Sequence, residues 1–99
     1  MLLIIGTIRL PPNRLDEARP VMERMVRASR AEDGCLEYSY AQDVLDPGLI
    51  RVTEAWRDRP ALDAHFRSPH IADWRGSWPG LGIGERNLML YETGEAMPT

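Results

Sequence analysis

Few side chains in this sequence can move a proton near neutral pH, and the two histidines, His65 and His70, stand first among them. An unperturbed imidazole titrates near ~6.5, so either ring is suited to act as general base toward an acidic hydroxyl or an enolisable carbon. Each also has a structural reading. His65 follows Leu62 by three positions and Ala61 by four, which sets it at the inner edge of an apolar helix face. A packed, hydrogen-bonded imidazole fits that place as well as a base does. His70 falls in the first turn after Ser68-Pro69, where histidines commonly make a cap or a tertiary hydrogen bond.

Glu54 and Trp56, two apart, share one face of an apolar segment that reads as a strand. A carboxylate there needs a partner, with Arg9, Arg51, His65 and a subunit interface as the options. A metal site drawn from His65, His70 and Glu54 is the other chemistry these residue types allow. Five steps along an unbroken helix turn the two imidazoles ~140° apart, although a proline restart between them could change that. With no third histidine and only one cysteine, no metal ion is expected. Tyr38, Tyr40 and Tyr91 offer phenol donors. Trp56, Trp74 and Trp78 serve equally as core or as shelves for an aromatic ligand. Cys35 reads as a small buried side chain, and the glycines from Gly80 to Gly84 as a flexible loop over a cavity. They precede a strand and have the wrong spacing for a phosphate-binding loop.

The elements that must position these residues follow from periodicity and punctuation. Leu2 to Leu10 is an apolar run ending at Pro11-Pro12, and reads as a first strand with both faces covered. Asn13 is the expected N-cap of an amphipathic helix carrying Leu15, Ala18, Met22, Met25, Val26 and Ser29 inward, kinked or tightened at Pro20 and closed by Gly34. Cys35 to Asp43 alternates, with Leu36, Tyr38 and Tyr40 on one side. Asp46-Pro47-Gly48 turns the chain, and Ile50 to Trp56 returns. Asp58 caps a second helix, and Ser68-Pro69 restarts it. Pro79 to Gly84 is read as loop, and Asn87 to Glu92 as the fourth strand. The order βαββαβ defines an α+β, ferredoxin-like split: one four-stranded antiparallel sheet with helices on one face. A second copy of the chain is the natural cover for the other face, which implies a homodimer.

The 99 residues hold one domain, expected over 1–93, with 94–99 as a loose tail. A net charge of −3, with arginines interleaved among acids, gives no surface for a polyanion, so nucleic acid is not an expected partner. The apolar start is too short to span a bilayer, and a lone cysteine suits a reducing compartment; a cytoplasmic protein without membrane contact is expected.

Glu32-Asp33-Gly34-Cys35, Tyr38, Glu54-x-Trp56 and His65-x-x-Ser68-Pro69-His70, taken together, resemble the antibiotic-biosynthesis monooxygenase family, especially its small quinol monooxygenases. The resemblance implies a dimeric α+β barrel with a cavity between sheet and helices in each subunit. It further implies oxidation of a phenol, hydroquinone or anthrone-like ring by O2 without metal or flavin. It puts His65 on the cavity wall as the catalytic residue. Tyr38, Trp56, Trp74, His70 and Glu54 are then the residues expected to bind substrate. The heme-degrading branch of the same superfamily carries an asparagine where Gly6 stands, a tryptophan where His65 stands and an iron-binding histidine near Trp74 or Arg75. All three differ here, so the resemblance implies no heme. Because one scaffold hosts several activities, a non-catalytic binder of small aromatics and a lactone isomerase stand as alternatives.

Overall fold

The computed structural model describes residues 1–99. Strands β1 (Leu2–Arg9), β2 (Cys35–Gln42), β3 (Leu49–Trp56) and β4 (Arg86–Glu92) alternate with helices α1 (Leu15–Arg30), α2 (Arg59–Phe66) and α3 (Pro69–Leu81). The strands form a single antiparallel sheet in the order β2-β3-β1-β4. This is the ferredoxin-like arrangement expected from the order of elements.

Period-two alternation decides which residues meet the helices. In the register Ile4 opposite Glu54 and Ile8 opposite Ile50, the covered face carries Leu2, Ile4, Ile8, Ile50, Val52, Glu54, Trp56 and Tyr38. Ala18 and Met25 of α1, Leu62 of α2 and Ile71, Trp74 and Leu81 of α3 close over them to complete the core. The opposite parity, Leu3, Ile5, Ala55, Met89 and Tyr91, points away from the helices. Ile5, Met89 and Tyr91 remain 46%, 56% and 50% exposed, so a single chain leaves this face uncovered. Gly6 lies where β4 presses against β1: a Cβ there would sit 1.9 Å from the Asn87 carbonyl oxygen. No helix is long and apolar enough to cross a membrane.

Several local expectations are corrected. Asn13 is not an N-cap. It lies inside a 3₁₀ turn, Pro12–Arg14, and α1 begins at Leu15 behind Arg14 without a side-chain cap. The helix then runs unbroken through Pro20 to Arg30, with Ala31 as its C-cap; Gly34 belongs to the next turn, at φ +83°. Leu36 does not share a side with Tyr38. A bulge between Cys35 and Glu37 shifts the register and leaves Leu36 exposed. The glycines after Trp78 do not form a flexible loop. Helix α3 continues to Leu81, Gly82 caps it at φ +74°, and the amide of Ile83 donates to the Trp78 carbonyl. Leu81 and Ile83 are both buried, which pins this segment to the core instead of leaving it free over a cavity.

Candidate active site

The break between α2 and α3 builds the centre of the molecule. Asp58 caps α2 by accepting from the Ala61 amide, and Pro60 fits its first turn, where no intrahelical donor is needed. The helix stops at Phe66. The Ser68 hydroxyl donates to the His65 carbonyl at 2.7 Å and accepts from the Ile71 amide at 3.4 Å, so one side chain ends α2 and starts α3. The change of direction brings His70 toward the face that carries His65. The ~140° divergence expected for an unbroken helix is thus overturned.

Both rings reach one carboxylate. Glu32 lies in the turn between α1 and β2, closed by the Cys35 amide donating to the Glu32 carbonyl at 3.2 Å. Gly34 lets this turn pack on α2, since a Cβ there would come within 2.5 Å of the Ala61 Cβ. Glu32 Oε1 is 2.7 Å from His65 Nδ1 and 2.5 Å from His70 Nε2. In the neutral His65 ring this contact holds the proton on Nδ1, donated to the carboxylate, and leaves the Nε2 lone pair free. That nitrogen lies 3.8 Å from Oε1 of Glu54.

Glu54 is 4% exposed and has no arginine within ion-pair distance. Arg9 pairs with Asp46 and Arg51 with Asp43, which answers the question of its partner. The Trp56 indole donates to Glu54 Oε1 at 3.0 Å. Burial raises the Glu54 carboxyl to about 6, against the lowering effect of the indole bond and of the more distant Arg75 and Arg86. Burial pushes His65 below the ordinary histidine value, while Glu32 acts to raise it, so the ring is neutral at physiological pH. Burial also raises the Tyr38 phenol, helped by Tyr40 and Glu54, which keeps it a neutral donor.

Aromatic rings pack around this chain of acid and base. His65 lies 4.5 Å from the Trp56 ring centroid and 5.3 Å from that of Tyr38. Tyr38 stacks on Tyr40, and Tyr40 meets Trp74 edge-on. A cavity of about 20 Å³ remains between sheet and helices, lined by Tyr38, Tyr40, Glu54, His65, Trp74 and Arg75 among others. That is room for about one water. The indole N–H groups of Trp74 and Trp78, which also line it, are buried with no hydrogen-bond partner. A surface hollow of about 370 Å³ along Arg9, Pro11, Pro12 and Glu85 is roomier but holds neither histidine nor aromatic ring.

Of the expected site residues, Tyr38, Glu54, His65 and Trp74 meet at the cavity. Trp56 lies outside the lining and donates to Glu54, and His70 binds Glu32, also outside it. Glu32, Arg75 and Arg86 are not among the expected site residues, whereas Tyr40, a candidate phenol donor beside Tyr38, does line the cavity. The Glu32-Asp33-Gly34-Cys35 turn carried the signal for the first of them, but its sequence does not say which helix it will touch.

Fold and site together define a ferredoxin-like α+β protein with a carboxylate-held histidine facing a small aromatic enclosure. Residues 1–77 match the profile of the family described as Antibiotic biosynthesis monooxygenase, and the chain belongs to that family. It is 36% identical over 72 residues to a Mycobacterium tuberculosis protein named "Putative monooxygenase Rv0793", covering 73% of this chain and 70% of that one. An uncharacterised Synechocystis protein is 28% identical across 95% of this chain, which spans 64% of that relative's length. A crystal structure from Deinococcus radiodurans, titled as a putative antibiotic biosynthesis monooxygenase, superposes with a TM-score of 0.91 at 27% identity. That superposition covers 100% of this chain and 98% of the other.

Proposed function

We propose that the chain is a monooxygenase that oxidises a phenolic or hydroquinone ring with O2, using His65 as general base and no bound flavin or metal. One observation carries the reading: the pair of half-buried Glu32 and buried His65 fixes the proton on Nδ1 and presents a free Nε2 beside a pocket walled by aromatic rings. Nε2 takes the hydroxyl proton, and the resulting phenolate is a far better electron donor to O2 than the phenol. One electron passes to O2, and the superoxide and aryloxyl radicals combine to form a C–O bond. Loss of water from the peroxide then yields the oxygenated quinone. For a hydroquinone the sum is ring plus O2 to hydroxyquinone plus water. Glu32 positions the base. The unpaired indole donors of Trp74 and Trp78 are suited to hold the developing oxyanion, and the apolar walls exclude water.

A ring needs more than 20 Å³, so admission requires the partly exposed lining residues Phe66, Arg75 and Arg86 to swing outward. The working unit in this reading is a cytoplasmic homodimer that buries Ile5, Met89 and Tyr91 between two sheets. The test is oxygen uptake by chelator-treated protein with a panel of hydroquinones and anthrone-like rings, beside His65→Ala. Uptake above the protein-free rate that collapses in the variant is expected. Binding without oxygen consumption, or consumption indifferent to His65, overturns the reading.

A further inference from the structure

We propose that Glu32, His65 and His70 also form a binding site for one divalent late first-row cation of the Zn²⁺ type. This goes beyond the oxygenase reading and does not depend on it. His65 Nδ1, His70 Nε2 and a Glu32 oxygen all lie within 4.8 Å of one another. Two imidazoles and one carboxylate are a donor set that zinc and its neighbours accept, with bonds of ~2.0–2.2 Å and an open position left for water. Ligand atoms around such a tetrahedral ion stand roughly 3.3 Å apart. The Glu32 oxygen is now 2.7 and 2.5 Å from the two nitrogens and must retreat by less than an ångström, while the two imidazoles, up to 4.8 Å apart across it, close toward that spacing to admit the ion. The Glu32 and His70 side chains keep 16% and 21% of their surface in solvent, which gives the ion a way in.

A second, independent feature is the buried carboxylate behind His65. Metal ligation at Nδ1 sends the ring proton to Nε2, and Glu54 Oε1 waits 3.8 Å from that nitrogen. An outer carboxylate that accepts from a ligating histidine is the usual support of such sites. The charge also balances. Glu32 and Glu54 lie within 4.0 Å of these histidines and pair with no lysine or arginine, so an arriving dication meets two carboxylates with no cationic side chain competing for them. Hard cations are poorly served by imidazole, which argues against Ca²⁺ or Mg²⁺. If His65 is the oxygenase base, the occupied site disables it, because Nε2 then carries a proton.

The experiment is a titration of chelator-treated protein with Co²⁺, followed by its visible absorption and then by displacement with Zn²⁺, without any substrate. One Co²⁺ per chain is expected, with an intense low-symmetry band that Zn²⁺ abolishes. His70→Asn, which removes the ring nitrogen, should weaken binding at least ~100-fold. Glu32→Gln, which keeps size and an acceptor oxygen, should do the same, and thermal melts of both variants verify that they fold. Absence of the band in the unmodified protein overturns the proposal, as does a band that persists undiminished in either folded variant. Neither result touches the oxygen-uptake test, which is run in chelator.

Discussion

The two faces of the sheet use the same strands for opposite ends. On the covered face, alternate residues deliver Tyr38, Glu54 and Trp56 to His65, where the Trp56 indole holds Glu54, Glu32 holds His65 Nδ1, and the two indoles of α3 are left without a partner. On the open face, alternate residues of the same strands present Leu3, Ile5, Met89 and Tyr91 at one end and Thr7, Arg51 and Asn87 at the other. The first face buys specificity through hydrogen bonds that only one arrangement satisfies. The apolar end of the second is non-directional and asks for another apolar surface. A single residue step separates the two roles, so a change of register would exchange them.

The largest expected effect comes from removing the base. His65→Ala should lower turnover by ~10²–10⁴-fold, the span of general-base contributions. Steady-state oxygen consumption measures it, with a thermal melt to show that the variant still folds. If the rate stays within a few-fold of the unmodified protein, the covered face is core and not site, and the contrast between the faces collapses into two kinds of packing.

Glu32→Gln sharpens the same side of the contrast. The amide keeps an oxygen for His65 but cannot stabilise the charged ring that proton transfer creates. A fall in kcat of roughly 10–100-fold with KM unchanged is expected, since the carboxylate is asked to help only in the transition state. A change in KM alone would mean that Glu32 shapes the pocket and does not position the base.

The open face is tested by charge. Ile5→Lys with Met89→Lys places two ammonium groups on the apolar patch while leaving the covered face untouched. Sedimentation should show the unmodified protein as a dimer and the variant as a monomer with the same far-UV circular dichroism. A variant that unfolds instead would mean that the two faces are not independent, and that the monomer's own stability needs the second sheet. Unmodified protein that sediments as a monomer would end the dimer reading outright.

Much of this architecture was legible in the residues, and the limits have physical causes. The caps at Asp58 and Ser68 and the restart at Pro69 are announced by local chemistry, because a short polar side chain or a proline ring acts on its own backbone. Asn13 and the glycines after Trp78 carried the same kind of signal and misled, the first because a competing local turn won and the second because core contacts did. The Pro12 turn took up Asn13, while buried Leu81 and Ile83 kept α3 helical past Pro79 and Gly80. Leu36 misled because a one-residue bulge reverses facing without any mark in the alternation itself. His65 was found through resemblance and geometry together. Glu32 was not singled out because its role depends on the approach of a turn to a helix 33 positions away in sequence.

The smallest expected effect is also local. Ser68→Ala removes the one side chain that both closes α2 and opens α3. Loss of such a cap costs about 1 kcal/mol, read as a shift in the denaturant midpoint with an unchanged m-value. The open face should be indifferent, and the oligomeric state should not move. The covered face should respond beyond the stability change, because the Ser68 bond sets the angle at which His70 meets Glu32. A separate loss in turnover, measured well below the melting temperature, would show that the break between the helices serves the site. Stability lost without any change in rate would show that the helices are held in place by packing, α2 on β3 and α3 on α1, and that the cap is a helix end and nothing more.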